Sequence, residues 1–304
     1  MTTDQISALL KADPRSVVSN DEARYRAQIA RAVELVDANA DLRPIVLLAG
    51  PSGSGKTSTA MLLSQGLRQK GRQSRTICMD DYFLPLSVEE QQRLRRNELD
   101  LETPARIDVP LFQRHLDEML ACREFALPRY DFPTSSRVYD QGTFRRAPGS
   151  VVVIEGIHAL NPAVTGHEQN TTRLYVSVRT RIAAHDGSVL HPSLIRLARR
   201  MLRDRLCRGR DLTQTLAMWQ RVDEGEQKNI MPFKPRAHES IDSFFSCELS
   251  VYRDILLPEL EQLVQKNDAL GELVKVMREL PSLPIGELAH DSMMREFVGG
   301  SSLL

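Results

Sequence analysis

A layered α/β fold on a mainly parallel sheet is predicted for this 304-residue chain. Three observations predict it. Short runs rich in β-branched apolar residues alternate with longer helix-like stretches. One run, Ile45–Ala49, passes directly into a glycine-rich loop and then a helix-forming stretch. Two later segments carry acidic residues where strands of an open parallel sheet present their ligand-facing ends.

The elements follow in order. Residues 1–42 read as helical, with Ile29, Val33, Leu35 and Val36 near one face and Asn20 or Asp21 as N-cap. Ile45–Ala49 reads as a buried strand. Lys56–Lys70 reads as a helix stopped at Gly71. Ser74–Asp80 is the second predicted strand, and residues 84–106 are loop with some helix. Val109–Glu124 fits a helix, Ser150–Gly156 a third strand and Arg173–Val178 a fourth. Helices are expected at Leu194–Arg208, Leu212–Glu224 and Val251–Lys266, with a loose glycine-serine tail at the end. The domain reading is an N-terminal helical extension (1–43), a main α/β domain (44–265) and a C-terminal helical extension with tail (266–304).

Composition narrows the class. Forty basic residues balance forty acidic ones, so nothing global suggests nucleic acid or an anionic membrane as partner. No apolar stretch approaches the ~20 residues of a membrane span, and the N-terminus lacks a signal-peptide pattern. Cys78, Cys122, Cys207 and Cys247 are scattered without metal-ligand spacing. The expectation is a reduced, cytoplasmic chain with no structural zinc.

Gly50-Pro51-Ser52-Gly53-Ser54-Gly55-Lys56-Thr57 satisfies G-x-x-x-x-G-K-S/T. Small residues let backbone N–H groups curl around a phosphate chain, and the following helix points its positive end at the same anion. Lys56 reaches the outer phosphates, Ser58 continues the cradle, and the Thr57 hydroxyl suits Mg²⁺. This makes the class a P-loop NTPase-type three-layer fold, and the reaction that of an NTPase or a kinase. The second strand ends in Asp80 and Asp81, the third in Glu155. Thr57, Glu155 and Asp80 are the candidate magnesium ligands, and a kinase needs one carboxylate beside the attacking hydroxyl.

Seven arginines fall between Arg196 and Arg210. An arginine-rich helix beside a phosphate loop reads as a lid that offsets charge on the moving phosphoryl group. Asp204 and Asp211 are expected to pair with some of them.

In order along the chain stand "GPSGSGKTSTA", "MDDYF", "LETPARIDV", "PRYDFPTSSR", "VVVIEGIHALNP" and "RLARRMLRDRLCRGRDL". With these motifs the chain resembles the uridine kinase and phosphoribulokinase family of P-loop kinases, most closely its uridine kinase-like branch, from about Pro44 to about Leu260. The resemblance implies an ATP- and Mg²⁺-dependent kinase of a small-molecule alcohol, and a possible homo-oligomer. It implies Asp80 as base for a nucleoside 5′-hydroxyl, with Asp81 as the alternative. It places Glu102 at the ribose hydroxyls, Tyr130 beside the base, Arg200 at the ribose, and Arg203, Arg208 and Arg210 at the phosphates. Pyrimidine-specific members carry a histidine where this chain has Ser135, and the family usually has an aspartate where it has Glu102. The connection ahead of the arginine helix is longer than usual and begins that helix "LIR" rather than "DTR". The longer connection and the later "GEQKNIMPF" resemble a bacterial group that often carries a further N-terminal domain, which 43 residues are too few to hold. Two other readings stay open. One is a kinase of a pentose phosphate, pantothenate or glycerate, with Arg137, Arg145 or Arg146 as anion site. The other is a nucleotide-binding regulatory protein with little catalysis.

Overall fold

The computed structural model describes residues 1–96, 98–166, 169–266 and 270–303. Two N-terminal helices, α1 (Thr3–Ala12) and α2 (Pro14–Asn39), lead into β1 (Ile45–Ala49), α3 (Lys56–Gln69) and β2 (Ser74–Cys78). Next come α4 (Val88–Arg95) and α5 (Val109–Leu120), then the short strands β3 (Glu124–Ala126), β4 (Arg129–Asp131), β5 (Ser136–Val138) and β6 (Thr143–Arg145). Then follow β7 (Val151–Glu155), α6 (Pro162–Thr165), β8 (Thr171–Ser177), β9 (Ile182–Ala183) and β10 (Val189–Leu190). The chain ends with α7 (Pro192–Cys207), α8 (Leu212–Asn229), β11 (Glu239–Asp242), α9 (Glu248–Leu263), α10 (Gly271–Glu279) and α11 (Arg295–Val298).

Five strands form the central sheet in the order β11-β8-β1-β7-β2, and every pairing is parallel. Strand alternation divides the core. Val46, Leu48, Val151, Val153, Leu174 and Val176 face one layer, with α2, α3, α7, α9 and α10. Ile45, Leu47, Ile77, Val152, Ile154 and Tyr175 face the other, with α5 and the Met79–Tyr82 turn. Register aligns the carboxyl ends: Leu48 and Cys78 both lie opposite Glu155. The loop after β1 therefore opens where neighbouring connections leave on opposite sides, the place where such sheets bind ligands.

Several boundaries differ from expectation for identifiable reasons. Helix α2 starts at Pro14, capped by Asp13, whose carboxylate accepts from Ser16 N at 3.1 Å. Asn20 and Asp21 are interior to it, and Asp21 instead accepts from the Ser246 and Cys247 amides ahead of α9. Strand β2 stops at Cys78 because Met79–Tyr82 turns into a 3-10 helix, which brings Asp80 around to the loop. Helix α5 stops at Leu120, and Cys122 adopts φ 53°. The two hairpins β3–β6 and β4–β5 have no apolar run to announce them. The tail is packed rather than loose: Met293, Met294 and Phe297 are fully buried, and Ser302 N donates to His290 O at 2.8 Å. Helices α1, α2 and α10 bury their apolar faces in the same core layer as α3 and α7.

Candidate active site

Close packing explains the glycines of the loop. A Cβ on Gly50 would lie 2.2 Å from Val176 O, and Gly53 and Gly55 hold φ +73° and +84°, which glycine adopts without strain. Lys56 folds back to donate to Pro51 O at 3.2 Å. The Thr57 hydroxyl donates to Glu155 Oε1 at 3.0 Å. The loop thus meets the end of β7 through the two groups predicted to share a magnesium ion. Ser54 Oγ is buried without a partner.

Three carboxyl groups of the candidate site feel the charge of Lys56. Burial pushes Glu155 up to about 7 against the pull of Lys56. Desolvation likewise raises Asp80, opposed by Lys56, Arg208 and Arg203. Glu102 is pushed up to about 7 by burial, with Arg200 and Lys56 acting to lower it. Carboxyls raised by dehydration beside cations are short of positive charge, the condition a bound magnesium ion relieves. The donor set fits such an ion: one hydroxyl, one or two carboxylates, and coordination otherwise open to phosphate and water. Among the described residues no group of three or more metal-type side chains exists. Asp81 is turned away, its carboxylate accepting from Tyr130 N at 3.1 Å. Asp80, not Asp81, faces the phosphate loop's charges.

Glu102 enters through an absence. A Cβ on Gly225 of α8 would lie 2.6 Å from Glu102 Cβ, so this helix-interior glycine, costly for a helix, makes room for the acid. Asn229 Nδ2 then holds Glu102 O at 3.1 Å. His158 lies in the same region, kept neutral by burial, which lowers it to about 4. A pH dependence follows from Glu102. Its raised folded pKa favours the protonated form, so the stability it confers is complete below the unfolded value and lost as pH rises through about 7. The Glu102→Gln protein is expected to melt above the parent at about pH 8 and close to it at about pH 4.5. Thermal melts at the two pH values check this. Equal melting differences at both would contradict it.

The arginine helix α7 divides its work. Arg196 forms a two-pronged pair with Glu226 (2.7 and 2.9 Å) and donates to Ser52 O at 3.1 Å. Arg199, fully buried, pairs with Glu248 through two bonds and donates to Gly53 O at 3.1 Å. These two brace the loop from outside, a role the sequence reading missed because Glu226 and Glu248 lie far along the chain. Arg200 Nη1 donates to Ser52 Oγ at 2.9 Å, so it too touches the loop. Its Nε faces Asp204 Oδ2 at 3.6 Å, whereas the Nε of Arg203 is a buried donor without a hydrogen-bond partner, unusual in a native fold and apt for an anion. Arg208 and Arg210 are half-exposed and tethered to Asp204, which also lies 3.6 Å from Arg200. Asp211 pairs with none of them. It caps α8 by accepting from Gln214 N at 2.7 Å.

The hairpin side is less as expected. Tyr130 is buried edge-to-face between Phe83 and Phe132, while Phe132 is 62% exposed, so Phe132 presents the open ring. Ser135 sits at φ 51° with its hydroxyl turned to Phe132 O at 3.4 Å. Arg137 pairs with Asp108 at 2.8 Å, leaving Nη1 buried and unpartnered. Arg146 is spent on the Met119, Leu120, Ala147 and Ser150 carbonyls, and Arg145 Nε on Cys122 O. Ser58 has both its amide and its hydroxyl engaged by Glu296.

The family model described as Phosphoribulokinase / Uridine kinase family matches residues 45–249. A uridine kinase of Saccharomyces cerevisiae is 28% identical over 253 residues, 83% of this chain and 46% of the relative. A uridine kinase of Deinococcus deserti is 32% identical over 171 residues, 56% of this chain and 72% of the relative. The chain spans about half the length of the yeast relatives it matches. In fold it is similar to a proposed fructose transport system kinase from Silicibacter sp. TM1040, with a TM-score of 0.53 at 20% identity, over 70% of this chain and 98% of that one. No helix among the described residues is long and apolar enough to cross a membrane.

Proposed function

The chain belongs to the phosphoribulokinase and uridine kinase family, and we propose that it transfers the γ-phosphate of ATP to an alcohol, a nucleoside 5′-hydroxyl first among the acceptors. The observation that carries this reading is a desolvated Asp80 carboxyl on which Lys56, Arg208 and Arg203 act as the cations. A carboxylate so placed orients an acceptor hydroxyl and takes its proton. Lys56 and the unpaired donor of Arg203 offset charge as it spreads over the phosphoryl oxygens. Thr57 and Glu155 would hold magnesium, which would supply charge neutralisation on the phosphate oxygens. Arg208 and Arg210, tethered on Asp204, close over the site and exclude water. Glu102, Arg200 and the Phe132 ring form the acceptor side.

One observation favours a second reading. Ser135 spends its hydroxyl on its own turn, and Arg137 keeps a buried unpaired donor, a combination better suited to an acceptor that carries an anion of its own. Incubation with MgATP and single acceptors, followed by product mass, separates the two. Phosphorylated uridine or cytidine supports the first reading. Product from a sugar phosphate or glycerate alone moves the acceptor assignment to Arg137. ATP bound without any product would remove both.

A further inference from the structure

The family match ends at residue 249, yet a segment well beyond it lies against the phosphate loop. Met293 Sδ sits 2.7 Å from where a Cβ on Gly55 would be. Glu296 Oε2 accepts from the Ser58 amide at 3.1 Å and the Ser58 hydroxyl at 2.8 Å, and Oε1 lies 4.0 Å from Arg203 Nη1. Around it, Asp291 pairs with Arg26 at 2.8 Å, and the Phe297 ring packs 5.1 Å from the Arg199 guanidinium.

An amide from the first turn of a helix, a serine hydroxyl and a guanidinium are the donors a phosphate takes at a helix N-terminus. The Ser58 amide belongs to the first turn of α3, where helix amides lack intrahelical partners. A carboxylate has acceptor-only oxygens and satisfies the same set. Ser58 is fully buried, so no ligand oxygen reaches its amide while Glu296 remains.

We propose that Glu296 is a built-in competitor for the nucleotide: the C-terminal segment holds a carboxylate in the anion subsite at Ser58, and an entering triphosphate displaces it. This rests on the nucleotide-binding reading of the loop. The competition is electrostatic as well as steric, because a carboxylate in that position repels the polyphosphate it competes with.

Calorimetric titration of the magnesium complex of a non-hydrolysable ATP analogue into the full chain tests this. Glu296→Gln keeps an acceptor oxygen for Ser58 and removes the charge. Its dissociation constant is expected to fall roughly tenfold. Glu296→Ala, which also opens space, is expected to bind more tightly even if it melts lower without nucleotide, and to gain more melting temperature than the parent on nucleotide addition. Unchanged or weaker binding in both variants overturns the proposal and leaves Glu296 a fixed helix cap. Lys56→Ala separates the two claims. If the parent binds and Lys56→Ala does not, the loop reading stands whatever Glu296 does. Binding by none of the proteins overturns the loop reading and the competitor together.

Discussion

Replacing Asp80 with asparagine is expected to lower phosphoryl transfer by about 10²- to 10⁴-fold while leaving the protein folded and able to bind nucleotide. The side chain is half-buried, and its carboxyl is raised by desolvation rather than lowered by a dedicated partner. Its charge is therefore a cost to the fold that the amide removes. Asparagine keeps the shape and can still bond to a hydroxyl, but it cannot accept a proton at neutral pH. Asp81 is not expected to substitute, since its Oδ1 accepts from the Tyr130 amide at 3.1 Å. Steady-state rates and nucleotide affinity, measured on the same preparation, check the claim. A variant within about threefold of the parent rate would remove Asp80 from the base role.

The second large effect is on stability. Arg199→Ala is expected to cost about 3–5 kcal/mol in denaturant unfolding. Its guanidinium is fully buried, and five hydrogen bonds tie it to Glu248, Ser243 and Gly53. Truncation strands the Glu248 carboxylate without its cation and frees the Gly53 carbonyl that α7 holds in place. Arg208 is the contrast within the same arginine run: it is half-exposed, with Asp204 as its partner. Arg208→Ala is expected to change stability by under about 0.5 kcal/mol and to act on transfer instead. Equal losses of stability in both variants would contradict the division between bracing and lid arginines.

Much of this was readable without coordinates, and the reasons differ by element. Ile45–Ala49 and Val151–Glu155 are five-residue strands buried on both faces, so their unbroken apolar runs announce them. The phosphate loop is legible because its conformation constrains residue type at almost every position. The hairpins between Glu124 and Arg145 were not seen, because strands of three residues carry too few side chains to show a period. The arginines were recognised as a group but not sorted. What separates Arg199 from Arg208 is Glu248, forty-nine positions from Arg199 and unmarked by any motif. Gly225 and Glu296 were missed for the same reason, since each acquires meaning only from a residue distant in sequence. Ser135 stands in the sequence only as a departure from the family's histidine, and its φ of 51° and contact to Phe132 O become visible only in the folded turn.

In the proposed reaction Lys56, Asp80 and the α7 arginines form one site that moves a phosphoryl group to an alcohol rather than to water. The coupling of ADP formation to acceptor tests it most directly. The protein with MgATP alone is expected to form little ADP. Adding the accepted alcohol should then give ADP and phosphorylated acceptor in equal amounts, and Asp80→Asn should lose both together. ADP and free phosphate appearing at the same rate without any acceptor would contradict it.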